Sequence, residues 1–422
     1  MQSVGVYYNS FSAKASDINT IEFERVSVHD PSIIKTEDGT YYVFGSHIAA
    51  AKSSDLMKWT SLVEREYQTP ENNPIYGNLS KNLAESFKWA GEDDADSKGG
   101  YAVWAPDIFW NDDFVWDDGT KGAYMMYYSV SSTYIRSAIG IAVSKDIEGP
   151  YQYFATIIYS GFTNKVAYDR NSNVNKHWEN TNISKLIDEG IISEPNPNWF
   201  TENDEYNNAL YPNAIDANIL YDRDGNLWMS YGSWSGGIFV LQLDKETGLP
   251  IYPGKDGQTP DGRMIDRYFG TKIAGGYGRS IEGPYIVYDE ETDYYYLYVS
   301  YGGLASDGGY QIRQFRSKEI DGPYVDAKGN PAVFPEHFNR GVGNFPGNAD
   351  HKDIGNKMIG NFLFKRDLGE EGTGVGTGYL SPGHNSYLID KELGKEFLVT
   401  HTRFPQQGEM HQVRVHQNVQ KQ

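Results

Sequence analysis

Three acidic residues, Asp30, Asp216 and Glu282, stand at the starts of predicted strands that follow one local pattern. After each acid the chain passes through a proline or a small residue and then enters an apolar strand start. Carboxylates that share a partly desolvated cavity cannot all stay ionised, because like charges raise the pKa of at least one of them. The pattern therefore indicates general acid–base chemistry. A single acid at a strand start could simply accept hydrogen bonds from backbone N–H groups. Three acids at equivalent positions favour a shared site.

Hydrolysis of a glycosidic bond needs this division of roles, with one carboxyl protonating the leaving oxygen and one carboxylate activating water or attacking the sugar. Trp104 could stack on a sugar ring, and Arg403 could donate hydrogen bonds to sugar hydroxyls or to a carboxylate. A structural place in the core explains either residue equally well. His29, directly before Asp30, completes the substrate-binding candidates, whereas Asp107 lies one place off the acidic register and is expected to be structural.

The three acids belong to five repeated units, which are the elements that must bring them together. Each unit has a head, then a second apolar run and a third strand-like run. Turns such as Glu37-Asp38-Gly39 and Asp222-Arg223-Asp224-Gly225 separate the first two runs, as hairpins require. Small sheets that cannot bury both faces alone stack as propeller blades. The sequence therefore predicts an all-β fold, a five-bladed β-propeller whose strand heads converge on the central axis.

The predicted propeller is a catalytic domain over residues 1–416. Its blades are placed at roughly 26–65, 101–163, 212–272, 279–330 and 379–416, with long insertions at 66–100, 164–211 and 331–378. The glycine-rich run at 372–378 lacks the Lys-Ser/Thr pair of a phosphate-binding loop, so we interpret it as a flexible loop. We interpret residues 417–422 as the start of a truncated C-terminal segment.

Composition narrows the possible partners. The 422 residues carry a formal net charge of -20, which disfavours nucleic acid and anionic membranes but does not repel a neutral polysaccharide. The absence of cysteine excludes disulfides, thiolate metal sites and cysteine nucleophiles. No apolar run is long enough for a transmembrane helix, and no signal peptide is visible at the N-terminus.

Taken together, the heads carry a family resemblance. The motifs are His29-Asp30-Pro31-Ser32, Trp104-Ala105-Pro106-Asp107, Asn213-Ala214-Ile215-Asp216-Ala217-Asn218, Ser280-Ile281-Glu282-Gly283-Pro284-Tyr285 and Ser381-Pro382-Gly383-His384-Asn385-Ser386. In this order they resemble the glycoside hydrolases of family 43, and within that family they are most similar to the endo-α-1,5-L-arabinanases. The long insertions resemble those of the larger arabinanases, which carry an extra C-terminal β domain.

The resemblance implies an inverting hydrolase of arabinan and arabino-oligosaccharides, a monomer that is secreted or extracellular, with an intracellular location as the alternative. Asp30 would be the general base and Glu282 the general acid, and Asp216 would raise the pKa of Glu282 and orient it. Inversion predicts base and acid carboxyls about 6.5–9.5 Å apart, so that a water fits between them. His384 would bind a calcium ion on the propeller axis, with water completing the shell. Since calcium prefers oxygen ligands, a histidine hydrogen-bonded in the core is the alternative for His384.

Three other functions remain open from the sequence. An insertion that closes the groove into a pocket would make the enzyme an exo-acting α-L-arabinofuranosidase or β-xylosidase. A non-catalytic, glycan-binding propeller would require the three acids to be incidental. A phosphorylase should show a cluster of basic residues near the heads, and Arg279 with Arg403 does not make a convincing phosphate site.

Overall fold

Strands dominate the fold and form five antiparallel sheets. The computed structural model describes residues 23–63, 73–91, 102–132, 135–334, 354–364 and 378–419. Four of the sheets have four strands and one has six. Neighbouring sheets are linked around a ring, and the last sheet contacts the first. The predicted five-bladed β-propeller is therefore confirmed.

In four of the blades consecutive strands are neighbours throughout, whereas in blade three the sixth strand, not the fourth, pairs with the third. Blade one contains β1 (Ser32–Lys35), β2 (Tyr41–Phe44), β3 (Ala50–Ser53) and β4 (Thr60–Ser61), and blade two contains β5 (Trp104–Val115), β6 (Lys121–Ser131), β7 (Ser137–Ser144) and β8 (Gln152–Tyr159). Blade three contains β9 (Asn218–Tyr221), β10 (Leu227–Ser233), β11 (Gly237–Leu243), β12 (Gly257–Gln258), β13 (Met264–Asp266) and β14 (Gly270–Ala274). Blade four contains β15 (Glu282–Asp289), β16 (Tyr294–Tyr301), β17 (Gln311–Ser317) and β18 (Asn356–Ile359), and blade five contains β19 (Phe362–Leu363), β20 (Gly378–Asp390), β21 (Lys395–Arg403) and β22 (His411–Asn418).

The predicted hairpin turns form through local side-chain chemistry. Between β9 and β10, Asp222 Oδ1 accepts hydrogen bonds from the N–H groups of Asp224 at 2.9 Å and Asn226 at 2.7 Å. Gly225 takes a φ of 76°, in the left-handed region that favours glycine. The turn is therefore encoded within five residues, which explains why the sequence alone identifies it.

Polar links join the inner strands of adjacent blades at four of the five blade boundaries. In each link a side chain near a strand start accepts the backbone N–H of the neighbouring inner strand, so a buried donor is satisfied where no sheet partner is available. The pairs are Ile33 N with Ser386 Oγ at 3.1 Å, Ile108 N with Ser32 Oγ at 3.2 Å, Ile219 N with Asp107 Oδ2 at 2.7 Å and Ile286 N with Asn218 Oδ1 at 2.9 Å. Asp107 thus has the structural role expected of it, and burial raises its pKa to about 6.

Contacts between the first and last blades close the ring. Asp390 of β20 accepts hydrogen bonds from Tyr41 Oη at 2.6 Å and from Lys35 Nζ at 3.0 Å. Apolar clusters fill the spaces between blades, including one around Val43, Trp59 and Val399 at this closure. The propeller is thus held by side chains at every blade boundary rather than by one central core.

The segments predicted as insertions contain regular structure. Residues 66–100 include α1 (Leu79–Asn82) and α2 (Ala84–Ala90), and residues 164–211 include α3 (Ile183–Asp188). The fourth strand of blade four, β18, lies within the predicted insertion 331–378. It pairs with β17 although a long segment separates the two strands in the sequence. Strand β22 continues to Asn418, two residues past the predicted end of blade five. The glycine-rich run at 372–377 lies outside the described residues, and no described helix is long and apolar enough to cross a membrane.

Candidate active site

The five heads share a left-handed backbone turn. The turn residues are Asp30 (φ 52°), Ala105 (φ 37°), Asp216 (φ 61°), Gly283 (φ 55°) and His384 (φ 47°). Four of the five are not glycine, and such a backbone is unusual for residues with a side chain unless the surroundings hold it. These turns aim the residues at the axis instead of along the strands.

The preceding blade holds each turn in place. In every case the backbone N–H of the turn residue donates to a side chain of the blade before it. The pairs are Asp30 with His401 Nδ1 at 3.1 Å, Ala105 with Ser46 Oγ at 2.8 Å, Asp216 with Ser129 Oγ at 3.1 Å, Gly283 with Asp216 Oδ2 at 3.1 Å and His384 with Ser300 Oγ at 2.7 Å. The site is therefore built on rigid, mutually anchored elements.

This geometry corrects one prediction from the sequence. Glu282 does not share the structural position of Asp30 and Asp216, because Gly283 takes the turn. Glu282 lies one residue earlier and pairs with Ser300, just as Trp104 pairs with Ser129 in blade two. Its longer side chain comes from the strand start, and it still lies close enough to Asp216 and Asp30 for their charges to act on it.

Asp30 has hydrogen-bonding or ionic partners at both carboxylate oxygens. Its Oδ2 lies 2.5 Å from Ser46 Oγ and 2.9 Å from His29 Nδ1. Its Oδ1 lies 3.1 Å from His384 Nδ1. Burial opposes the charge, but the imidazoles of His29, His384 and His401 outweigh it and hold the pKa of Asp30 well below its usual value. Asp30 is therefore an anion, as a general base must be.

The pKa of Glu282 is shifted in the opposite direction to that of Asp30. Burial, reinforced by the charge of Asp30, raises its pKa, although hydrogen bonds to the carboxylate from Tyr310 and Ser233 work against this. Tyr310 Oη donates to Oε1 at 2.6 Å, and Ser233 Oγ lies 3.2 Å from Oε2. The surroundings thus shift the pKa values of the two carboxyls in opposite directions.

Asp216 is linked to Glu282 through the backbone. Its Oδ2 accepts the N–H of Gly283, the residue that follows Glu282. Burial, together with the charges of Glu282 and Asp30, raises the pKa of Asp216. The sequence prediction that Asp216 influences Glu282 thus has a physical route, through charge and through this hydrogen bond.

His384 lies among all three acids. Burial disfavours the protonated, charged form of His384, but the carboxyls of Asp30, Asp216 and Glu282 favour it more strongly, so the pKa of His384 is raised. A cation ligand fits this setting only in part: the surroundings are strongly negative, yet His384 supplies one nitrogen where calcium prefers six to eight oxygens. Within the described ranges, the one group with three candidate ligand atoms inside 4.8 Å is His29, Asp30 and His401, and it does not include His384.

The remaining predicted residues lie close to this centre. Trp104 begins β5 and is partly exposed, next to the Ala105 N–H that binds Ser46. Arg403 is buried at the end of β21, and its Nε donates to Glu409 Oε2 at 2.7 Å. The predicted bond to a carboxylate is therefore made with Glu409, outside the acidic cluster. Sugar contacts by Trp104, Arg403 and His29 stay predictions.

Five residues that contact the acids are absent from the sequence-based prediction. They are Ser46, Ser129, Ser233, Tyr310 and His401, and each comes from a strand or loop other than the head it supports. Only His401 lies close in sequence to a predicted site residue, since it is two residues before Arg403 in β21. Contacts between residues this far apart have no local sequence pattern.

Comparison with known proteins agrees with the fold and with the predicted family. The model of the glycosyl hydrolases family 43 matches residues 192–353. An extracellular endo-α-(1→5)-L-arabinanase 2 of Bacillus subtilis is 40% identical over 396 residues, covering 94% of this chain and 68% of the relative. An extracellular endo-α-(1→5)-L-arabinanase of Thermotoga petrophila is 39% identical over 398 residues, covering 94% and 69%. The crystal structure of the family 43 YxiA protein from Bacillus licheniformis superposes with a TM-score of 0.69 at 39% identity, covering 94% of this chain and 72% of that one.

A β-propeller that brings together two carboxyls with pKa values shifted in opposite directions, and that has these relatives, is a glycoside hydrolase. The sequence identity and coverage of these relatives also identify the family. The chain belongs to glycosyl hydrolase family 43.

Proposed function

We propose that the chain hydrolyses the α-1,5-linked L-arabinan backbone internally, with inversion at the anomeric carbon. The observation that carries the proposal is the opposite tuning of two carboxyls in one cavity, Asp30 towards the anion and Glu282 towards the acid. The choice of arabinan rests on the two arabinanases at 40% and 39% identity. A relative named as an exo-α-(1→5)-L-arabinofuranosidase is only 28% identical, which favours endo over exo action.

The mechanism follows from the charge states. The Asp30 carboxylate accepts a proton from a water molecule, and the water oxygen forms a bond to the anomeric carbon from the face opposite the leaving group. Glu282 donates its proton to the departing glycosidic oxygen as that bond breaks. One water is consumed, and Asp30 and Glu282 exchange protonation states. Return of the proton from Asp30 to solvent and reprotonation of Glu282 complete the cycle.

Asp216 keeps the acid ready for the next turnover. The pKa of Asp216 is raised to about 7, so near neutral pH this carboxyl is partly ionised, and its negative charge disfavours the ionisation of Glu282. The bond from Gly283 N–H to Asp216 Oδ2 fixes the strand start that carries Glu282. Asp216 therefore acts on both the pKa and the orientation of the acid.

We also propose that His384 holds a calcium ion at the axis, with water supplying most of the shell. The supporting feature is the set of three carboxyl groups, Asp30, Asp216 and Glu282, around one imidazole. When bound, the ion supplies positive charge that offsets these carboxylates. An action outside the cell is supported by both arabinanase relatives, which are named as extracellular.

A time course of product sizes from linear, debranched arabinan tests the proposal. We expect a ladder of short oligosaccharides early in the reaction, and NMR of the first products should show the inverted anomer. Glu282→Gln, which keeps size but removes the acidic proton, should lower kcat by about 10²–10⁴-fold while the thermal melt is retained. Arabinose alone from the start would instead assign exo action, and full activity of Glu282→Gln would refute the acid assignment.

A further inference from the structure

Tyr310 is placed to control the general acid. It precedes β17, its side chain is 1% exposed, and its hydroxyl donates to Glu282 Oε1 at 2.6 Å. With Oε1 accepting this bond, the transferable proton belongs on Oε2, the oxygen that Ser233 contacts. The hydroxyl of Tyr310 thus selects which oxygen of Glu282 carries the proton.

The ring of Tyr310 is held as firmly as its hydroxyl. One side faces Gly383, where an added Cβ would lie 2.0 Å from a ring carbon, so only glycine leaves room. The ring also stacks on His401, with centroids 6.0 Å apart and planes 25° apart. His401 stacks in turn on His29 at 4.0 Å, and His401 Nδ1 accepts the N–H of Asp30. The three rings of Tyr310, His401 and His29, called the ring wall below, therefore connect the residue that hydrogen-bonds Glu282 with the residues that hydrogen-bond Asp30.

The loop that carries Tyr310 is tied to blade five. Ser381 Oγ donates to Ala305 O at 2.6 Å and accepts the N–H of Gly309 at 3.2 Å. Glu409 accepts from Ser306 Oγ at 2.7 Å and from Arg403 Nε at 2.7 Å. These bonds hold the loop on both sides of its tip. The buried Arg403 helps to position the loop because it binds Glu409, which in turn binds Ser306.

We propose that Tyr310 is a positioning residue for the general acid, and that the ring wall of Tyr310, His401 and His29 holds the acid and the base in one rigid frame. The inference rests on the proposed function, since it takes Glu282 as the proton donor. Tyr310 contributes orientation and proton placement, and the chemistry remains with the carboxyls.

The test is Tyr310→Phe, which removes the hydroxyl and keeps the ring. A hydrogen bond to a carboxylate favours its ionised form, so losing the bond raises the pKa of Glu282. Glu282 must be protonated to act, so the basic limb of the pH–rate profile should move to higher pH. The other charged groups facing Glu282, which are Asp30, Asp216 and His384, are unchanged in the variant. We expect kcat to fall about ten- to a hundredfold with KM within about twofold, because the interaction lost is orientation and not substrate binding.

Two further variants serve as comparisons for Tyr310→Phe. Ser233→Ala should shift the same limb in the same direction by less, since its contact with Glu282 is 3.2 Å against 2.6 Å. Tyr127→Phe, which removes an equally buried hydroxyl that donates to Gly248 O at 2.8 Å, should lower the melting temperature without moving the limb.

The outcomes separate this inference from the proposed function. Wild-type kcat and an unmoved basic limb in Tyr310→Phe, with Glu282→Gln inactive, would overturn the role of Tyr310 and leave the function standing. A lowered melting temperature with an unmoved limb would equally overturn it, since that is the signature of a purely structural residue. Full activity of Glu282→Gln would remove the acid itself, and this inference with it.

Discussion

Ser46 offers a direct test of how the general base is held. Its hydroxyl is buried, lies 2.5 Å from Asp30 Oδ2 and accepts the Ala105 N–H at 2.8 Å. Ser46→Ala deletes both bonds. A hydrogen bond to a charged group contributes about 1.5–3 kcal/mol, and a buried N–H left without a partner costs about 1–3 kcal/mol. Because one hydroxyl makes both bonds and the costs are not additive, we expect a stability loss of about 2–4 kcal/mol.

The effect on catalysis follows from the same bond. Losing this hydrogen bond removes about 1.5–3 kcal/mol of stabilisation from the anion, so the pKa of Asp30 should rise. Asp30 must be ionised to accept a proton, so the acidic limb of the pH–rate profile should move to higher pH. His29 and His384 still hold the carboxylate, so kcat should fall only about tenfold.

Ser32, two residues after Asp30 in the same blade, is a matched control for Ser46. Its hydroxyl donates to the Asp107 carboxylate at 2.6 Å and accepts the Ile108 N–H at 3.2 Å, so it bridges the same two blades with the same pair of bonds. Ser32→Ala should therefore lose similar stability in urea unfolding near neutral pH. Initial rates on linear arabinan across pH would separate the two variants. If Ser46→Ala leaves the acidic limb in place, or if both variants lose the same activity, the reasoning about Asp30 is refuted.

Three further predictions follow from the site. Chelator should lower the melting temperature and the rate, and calcium should restore both, if His384 holds the ion; at about a hundredfold excess over Kd the ion would stabilise the fold by about 2.7 kcal/mol. His29→Ala removes a donor to the Asp30 anion, so the pKa of Asp30 should rise and the acidic limb should move to higher pH in rate profiles. Gly383→Ala forces a methyl group to 2.0 Å from the ring of Tyr310, so differential scanning calorimetry should show destabilisation and rates should fall with it.

Each of these experiments has its own control. An unchanged melt and rate in chelator would remove calcium from the proposal. His177→Ala, in the segment between blades two and three, should leave the acidic limb unmoved, and the same result for His29→Ala would contradict its role beside Asp30. Gly257→Ala introduces a Cβ with no neighbour closer than 3.9 Å and should be tolerated, so equal losses in both glycine variants would argue against the clash with Tyr310.

The amino-acid sequence determined the features whose causes are local. Hairpin turns such as the one around Asp222 are closed by bonds within a few residues, and strand runs follow from alternation and Tyr content. The repetition of heads, turns and runs was therefore enough to predict five blades, and the polar heads were enough to select Asp30, Asp216 and Glu282. Family resemblance added their expected roles, which the charge environment of the site supports.

Tertiary structure alone decided the features that depend on distant groups. Gly283 and not Glu282 takes the left-handed turn in blade four, and β18 pairs with a strand separated from it by a long segment. The N–H of Asp30 is bound by His401, 371 positions away, and Tyr310 contacts Glu282 from the loop that precedes β17. Charge states have the same origin, because a pKa depends on burial and on neighbouring charges that only the closed ring assembles. The sequence contains the acids, whereas the folded propeller shifts the pKa of Asp30 and that of Glu282 in opposite directions.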